Sequence, residues 1–195
     1  MTIISRLLVL AGLLTGTAIG AGQPPEKKDP QSSVEPRSGP GAGQKFLERF
    51  VGTWDVVKTF HPRTGEPIRA KGECRQEMIH GGRFLRSEFV FDGATGKTTG
   101  TGLIGFESQN GLFTSVWIDS RRTAMSFRRS KEKFDGQQIV LHGATVAGAG
   151  DGRKSRTVTR LEEGDTRIVH RQYGDGPGGK ERLVMELVMT RKPGR

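Results

Sequence analysis

Alternation of apolar and polar residues predicts that most of the chain after Gly52 forms β-strands. The clearest case is the stretch from Ile68 to Ile79, where apolar residues alternate with charged ones as in a strand with one buried face. Turn sequences such as Asn110-Gly111 separate about ten short strands at intervals of roughly 8–12 residues. The predicted strands are Trp54–His61, Ile68–Ile79, Arg83–Phe91, Thr98–Glu107, Leu112–Asp119, Ala124–Arg129, Gln138–Val146, Lys154–Leu161, Thr166–Tyr173 and Glu181–Arg191.

A single helix is predicted, directly before the first strand. Phe46, Leu47, Phe50 and Val51 recur at helical spacing with charged residues between them, and Gly52 is expected to end the helix. The sequence shows no internal repeat, which argues against a propeller. The order of hairpins is compatible with a sandwich, but the lack of a long crossover favours a barrel. We therefore expect an all-β, up-and-down antiparallel barrel of about 8–10 strands with a short N-terminal helix.

The N-terminal part of the chain has a different composition. Arg6 precedes the apolar run Leu7 to Leu14, and small residues follow up to Gly22, which is the pattern of a secretory signal peptide over residues 1–21. An uncleaved membrane anchor is the alternative, although the apolar run is short for a bilayer span. Residues 22–43 are rich in Pro, Gly and Ser and predict an extended linker. The barrel domain is then expected over residues 44–195, in the periplasm or secreted.

Charge and cysteine content narrow the possible partners. The net charge of +10 should attract anions such as nucleic acid, anionic envelope polymers or an acidic small ligand, unless the basic residues are simply scattered over a solvated surface. Cys74 is the single cysteine, so an intramolecular disulfide is excluded. A basic segment with two aromatic residues, Phe127 and Phe134, could follow a nucleic acid; its basic residues are Arg121, Arg122, Arg128, Arg129, Lys131 and Lys133. The export signal and the lack of a nucleic-acid motif favour an anionic envelope polymer or an acidic ligand instead.

Five short motifs carry a resemblance to a known family. They are FVGTWDV (50–56), GGRFLRSEF (81–89), GTGLIGFE (100–107), SVWIDS (115–120) and MTRK (189–192). In this order they resemble an uncharacterised bacterial family known as domain of unknown function fifteen-seventy-nine, and Gly52-Thr53-Trp54 is similar to the Gly-x-Trp signature of lipocalin-like (calycin) proteins. The resemblance implies a lipocalin-like barrel and no particular activity. It also implies that Trp54 lies at the closed end of the barrel, covered by Arg191.

Candidate ligand-binding residues come from the strand after the Asn-Gly turn. Phe113, Ser115, Trp117 and Asp119 share one face of this strand, whereas the opposite face is more apolar, so the pattern leaves its orientation open. If Trp117 and Asp119 face inward, Arg128 on the next strand could pair with Asp119. The alternative is that Trp117 is a packing residue and Asp119 caps the following turn. Ser87 and Cys74 complete the predicted ligand-binding set.

Motifs for catalysis or metal binding are missing from the sequence. The four histidines, His61, His80, His142 and His170, do not have metal-ligand spacing, and no nucleophile-elbow motif occurs. Haem-binding proteins of the wider barrel class use a late-strand histidine, but we expect His170 to be a hydrogen-bonded or exposed residue and no cofactor to be held. No catalytic residue and no metal ligand are assigned.

Three functions remain open on these grounds. The first is an exported barrel that binds a small, partly apolar ligand in its interior. The second is an enzyme that uses the same cavity, with Asp119 or Glu88 as a base. The third is a module that contacts the cell envelope through a basic outer surface. A lumen with one mouth favours the first two, and a barrel filled with side chains favours the third.

Overall fold

The computed structural model describes residues 39–93, 96–143 and 155–193. The predicted signal peptide and most of the predicted linker lie outside these residues. None of the helices in the described ranges is long and apolar enough to cross a membrane. The elements are α1 (Ala42–Glu48), β1 (Gly52–Phe60), β2 (Ile68–Ile79), β3 (Phe84–Gly93), β4 (Gly96–Glu107), β5 (Leu112–Asp119), β6 (Ser126–Arg129), β7 (Gln138–Gly143), β8 (Ser155–Glu162), β9 (Arg167–Asp175) and β10 (Glu181–Arg191).

The strands form a closed antiparallel barrel. Each strand pairs with its neighbours in sequence, and β1 pairs with β10 to complete the closure. The short turns between consecutive strands favour this up-and-down order, because antiparallel neighbours need only a hairpin connection. The prediction of an all-β barrel with a short N-terminal helix is confirmed.

The pairing of β1 with β10 places Arg191 opposite Trp54. Trp54 is fully buried, and the guanidinium carbon of Arg191 lies 4.1 Å from the centroid of its ring. The indole Nε1 donates a hydrogen bond of 3.0 Å to the carbonyl of Phe50, which ties the strand to the segment after α1. The stacking that the resemblance implied is therefore confirmed.

Gly52 has a different role from the predicted one. The helix ends at Glu48, and Gly52 is the first residue of β1, with a φ of +143° that side-chain-bearing residues rarely adopt. A Cβ atom at this position would lie 2.5 Å from Nη1 of Arg191. The glycine is thus needed for the approach of Arg191 to the backbone, and it does not end the helix.

One end of the barrel is closed by α1 and a group of phenylalanines that we call the aromatic plug: Phe46, Phe50, Phe106, Phe113 and Phe134. Gln44 fixes the helix over this end, since its side-chain amide donates a hydrogen bond of 2.9 Å to the carbonyl of Phe106. Burial of large aromatic rings is the main apolar contribution at this end. The plug leaves the other end of the barrel as the possible entrance.

The barrel wall is weakest between β6 and β7, which share one residue pair in the described ladder, Arg129 with His142. Ser130 bridges this gap from a buried position. Its hydroxyl accepts a hydrogen bond from the backbone of Phe113 at 3.3 Å and donates one of 2.9 Å to the carbonyl of Val140. The hydrogen bonds of the Ser130 side chain therefore replace some of the backbone hydrogen bonds that a longer pairing of β6 with β7 would supply.

Candidate functional site

A cavity of about 240 Å³ lies inside the barrel, between the aromatic plug and the opposite end. Phe50 of the plug forms part of its floor, and Lys58, Asp119 and Arg121 line it at the opposite end, which we call the mouth. The apolar part of the wall is formed by Leu85, Phe89, Phe91, Ile104, Trp117, Leu141, Met185, Leu187 and Met189. Polar side chains are also present on the wall: Gln76, Ser87, Ser115, Ser126, Arg128, Thr157, Thr159, His170 and Gln172. The interior is thus neither filled nor uniformly apolar.

Trp117 lines this cavity, so β5 turns its less apolar face inward. The indole lies against β4 at Gly100 and Gly102, and a Cβ atom at Gly100 would overlap its six-membered ring. The ring also meets Phe89 edge to face, with 5.5 Å between the centroids. The glycines allow a large aromatic ring to lie flat on the sheet without filling the lumen.

Asp119 is held at the mouth by the Trp117 indole and by Arg121. Its carboxylate accepts hydrogen bonds from the indole at 3.0 Å, from Nη2 and Nε of Arg121 at 2.9 and 3.3 Å, and from the Arg121 backbone at 2.9 Å. Burial of the side chain, which is 5% exposed, opposes ionisation, but these bonds prevail and hold the pKa of Asp119 well below its ordinary value. A carboxylate with so low a pKa is a weak general base at neutral pH.

The expected pair between Asp119 and Arg128 is absent from the described contacts. Asp119 instead caps the turn after β5, because Arg121 is two residues away and reaches the carboxylate with little loss of chain entropy. Both residues do line the cavity, as expected. The predicted pair with Arg128 is therefore wrong, and the alternative that Asp119 caps the turn after β5 agrees with the structure.

Arg128 faces the cavity from β6, where it lies opposite Ser115. Its Nε is buried and has no hydrogen-bond partner, and no ion pair of Arg128 occurs among the described residues. Burial lowers the pKa of Arg128, because a guanidinium is less stable away from water. The side chain is therefore a half-buried cation on the cavity wall that has no counterion among the described residues.

His170 lies on the wall of β9, and its Nδ1 is 2.8 Å from the hydroxyl of Thr159. The expectation that it is a hydrogen-bonded residue agrees with this contact. Burial, followed by the positive charge of Arg128, lowers the pKa of His170 to about 4. The imidazole is therefore neutral at physiological pH.

The depressed pKa of His170 has a consequence for stability. In the unfolded chain the histidine protonates below its ordinary pKa of 6.5, whereas in the folded protein it stays neutral down to about pH 4. The unfolded state binds more protons in this range, so the stabilisation is complete above pH 6.5 and is lost as the pH falls toward 4. We expect the wild type to lose about 2 kcal/mol more than His170→Gln between pH 7.5 and 4.5. Urea unfolding at both pH values measures this difference, and equal losses in the two proteins would contradict it.

The remaining candidate residues lie in three different places: Ser87 on the cavity wall, Cys74 in the core and Glu88 on the outer surface. Ser87 lines the cavity and accepts a hydrogen bond of 3.0 Å from Gln76. Cys74 faces inward between Trp54 and Phe89 but is not on the cavity wall, because it is packed in the core with 1% exposure. Burial raises the pKa of the Cys74 thiol, so it is not a reactive thiolate. Glu88 points away from the lumen and lies near Arg86 on the outer surface, so it is no candidate base for the cavity.

Several wall residues were not found from the sequence. Lys58, Thr157, Thr159, His170 and Gln172 all line the cavity. Thr157 and Thr159 alternate with Val158 in β8, and polar residues at inward positions of a barrel strand are the signal that could have identified them. Using that signal requires knowing which face of each strand is inward.

The basic segment from Arg121 to Phe134 does not form one surface. Arg128 faces the lumen, Arg121 pairs with Asp119, and Arg129 pairs with Glu107. Phe134, at the end of the segment, belongs to the aromatic plug. Alternation along β6 separates neighbouring side chains onto opposite faces, so the nucleic-acid interpretation loses its geometric basis. Within the described residues no group of three or more His, Cys, Asp or Glu side chains could hold a metal ion.

Comparison with solved structures shows the fold. The crystal structure of Rv2717c from M. tuberculosis is 15% identical, has a TM-score of 0.59, and the match covers 80% of this chain and 100% of that one. The S-type phycobiliprotein lyase CPES from Guillardia theta is 12% identical, has a TM-score of 0.53, and the match covers 78% and 94% of the two chains. No curated protein sequence matches the chain. A family match extends over residues 39–191, almost the whole barrel, and the chain therefore belongs to the family described as Protein of unknown function (DUF1579).

Proposed function

We propose that the protein binds a small, partly apolar organic ligand inside the barrel. The observation that supports this is the cavity of about 240 Å³, closed by the aromatic plug and reached from the mouth. Binding pockets typically combine apolar walls with a few polar groups that orient the ligand, and this wall has both. Trp117 and Phe89 offer flat aromatic surfaces to an apolar ligand, and the polar side chains of β6, β8 and β9 lie on the same wall.

The apolar dye N-phenyl-1-naphthylamine, which is uncharged, is a suitable probe for this proposal. Gly102 lines the cavity, and a Cβ atom there would make only ordinary contacts of 3.4–3.9 Å with Trp117 and Ser87. We expect one dye molecule to bind the wild type and Gly102→Leu to weaken binding by about tenfold or more, because the new side chain occupies the lumen. The measurement is a fluorescence titration.

Thr101→Leu is the matched control, since Thr101 is the neighbouring residue of β4 and occupies the opposite face. This variant should bind the dye with the affinity of the wild type. Failure of the dye to bind the wild type, or equal binding by Gly102→Leu, would contradict the proposal. A thermal melt of each variant checks that the barrel is folded.

The other two functions are less well supported. As an enzyme, the protein would need a base in the cavity, and Asp119 is the carboxylate on the described wall, with a depressed pKa. As an envelope module, it would need an unpaired basic outer surface. Outer arginines such as Arg129, Arg156 and Arg171 are instead paired with Glu107, Glu181 and Glu186.

Export is part of the proposal and is supported by the N-terminal sequence pattern. A signal peptide over residues 1–21 would direct the ligand-binding barrel out of the cytoplasm and would be removed during export. The intact mass of the polypeptide purified from its native source tests this point. A mass that includes residues 1–21 would contradict it.

A further inference from the structure

We propose that the ligand of the cavity is an organic acid with a single negative charge, and that Arg128 binds its acidic group. This inference rests on the proposed function and adds the chemical class of the ligand. It is argued from the bonding state of Arg128, from the charge of the cavity wall and from the distribution of apolar surface around it.

The bonding state of Arg128 is unusual among the described arginines. Three of them, Arg86, Arg128 and Arg182, have a buried Nε without a hydrogen-bond partner. Arg86 is nevertheless paired with Glu77, and Arg182 donates a hydrogen bond of 2.8 Å to the carbonyl of His61. Arg128 has neither an ion pair nor a hydrogen bond within the described ranges. The side chain is half-buried, and its buried Nε has lost water without gaining a protein acceptor, so an anion that reaches the guanidinium is bound favourably.

The described part of the cavity wall offers no free carboxylate for this role. Its charged side chains are four cations and one carboxylate: Lys58, Arg121, Arg122, Arg128 and Asp119. Asp119 is engaged by Arg121 and Trp117. Lys58 lies over the ring of Phe91 at 4.0 Å, and burial together with the charge of Arg121 lowers its pKa. The lumen therefore has an excess of positive charge that an acidic ligand would compensate.

The polar groups around Arg128 are suited to binding an acidic group of a ligand, because they are hydroxyl donors and carry no charge. Ser115 lies opposite Arg128 on β5, and Ser126 precedes it on the same face of β6. His170 is neutral and its Nδ1 contacts Thr159, so this side of the wall offers hydroxyl donors without a further charge. A guanidinium binds a carboxylate or a sulfonate with two parallel hydrogen bonds, which fixes the orientation of the ligand.

The single charge and the organic character follow from the rest of the wall. Lys58, Arg121 and Arg122 lie at the mouth, so Arg128 is the one cation deeper in the described wall, and a second negative charge placed there would remain uncompensated. The apolar surface of Leu85, Phe89, Trp117 and Leu187 then covers the body of the ligand. An inorganic anion would leave this surface empty. An apolar acid, aliphatic or aromatic, uses both parts of the wall.

Two dyes that share one scaffold test the inference. 1-Anilinonaphthalene-8-sulfonate has the aromatic body of N-phenyl-1-naphthylamine and one added sulfonate. We expect the wild type to bind the sulfonate dye about tenfold or more tightly than the uncharged dye, and Arg128→Met to abolish this preference. Arg128→Lys keeps the charge but loses the two parallel hydrogen bonds, so it should retain only part of the preference. Displacement of the uncharged dye by decanoate, but not by 1-decanol, would extend the result to carboxylates.

Arg129→Met is the matched control, because Arg129 is the next residue, faces outward and pairs with Glu107. It should leave the preference between the two dyes unchanged. Arg128→Met should also melt at or above the temperature of the ligand-free wild type, since it removes a half-buried charge that has no partner among the described residues. A structural role for Arg128 would instead lower the melting temperature.

The outcomes separate this inference from the proposed function. If both dyes bind equally well, or if Arg128→Met keeps the preference for the sulfonate, the inference is wrong and the cavity still binds apolar ligands. A sulfonate dye held at Arg121 or Arg122 of the mouth would give that second result. If neither dye binds the wild type, the proposed function itself is wrong.

Discussion

Replacement of Trp54 with alanine is expected to lower the free energy of unfolding by about 3–5 kcal/mol. The side chain is fully buried, stacks under Arg191 and donates a hydrogen bond to the carbonyl of Phe50. Its removal leaves a large void at the closed end and an unpaired carbonyl. Urea unfolding of the purified protein, followed by circular dichroism, gives the free energy directly.

Part of the free energy lost in Trp54→Ala is expected to come from the stacking contact between Trp54 and Arg191. Its guanidinium stacks on the indole and donates hydrogen bonds to the carbonyls of Arg49, Val51 and Asp165, at 2.7, 2.5 and 2.9 Å. Arg191→Ala is expected to cost about 2 kcal/mol. In a double-mutant cycle the combined loss should be smaller than the sum of the single losses, because each variant already removes the stacking contact. Additive losses would show that the two side chains act independently.

Lys192→Ala serves as the control for Arg191→Ala. Lys192 is the next residue, and its amine pairs with Glu73 and Asp55 on the outer surface. We expect little change in unfolding free energy, since exposed ion pairs contribute little. A loss as large as that of Arg191→Ala would indicate that any change at this end of β10 disturbs the closure.

Replacement of Phe113 with alanine is expected to cost about 3–5 kcal/mol. The side chain is 1% exposed, and its ring centroid lies 4.8 Å from that of Phe106 and 5.0 Å from that of Phe134. Truncation therefore removes the ring at the centre of the aromatic plug. The loss is again measured by urea unfolding.

Phe127→Ala is the matched control for Phe113→Ala. Phe127 lies on the neighbouring strand β6, faces outward and is 43% exposed. The same chemical change should cost only about 1 kcal/mol there, since less apolar surface is lost. Similar losses for the two variants would mean that the plug does not stabilise the barrel more than its outer surface does.

The periodicity of the sequence was sufficient for the barrel but insufficient for the orientation of β5. Its outer face carries Val116 and Ile118, which join Leu103 and Phe127 on the surface, while its inner face carries Ser115 and Asp119. The rule that the more apolar face is buried assumes a dry core. It does not hold here because the lumen is a cavity with polar walls.

The sequence also could not identify the partners of the charged residues. Alternation along a strand gives the face on which a side chain lies. Asp119 on β5 and Arg128 on β6 could therefore both be assigned to the inner face of the barrel. Alternation does not say which of several cations reaches the carboxylate. The competition between Arg128 and Arg121 is decided by the turn after β5, whose backbone amide at Arg121 also binds Asp119. The neutral state of His170 likewise depends on burial inside the closed barrel and, after that, on the charge of Arg128 on β6, neither of which is visible in the sequence around it.

The closure between β1 and β10 also determines when the barrel can be completed during folding. The two paired residues Trp54 and Arg191 lie near opposite ends of the barrel sequence, and the register between them covers most of β1. Until β10 has joined the sheet, β1 and β9 both present unpaired edges to other incompletely folded chains. Contacts over so long a stretch of sequence make folding slow compared with that of helical bundles. A chain that stops before β10 is therefore exposed to aggregation, however favourable its earlier hairpins are.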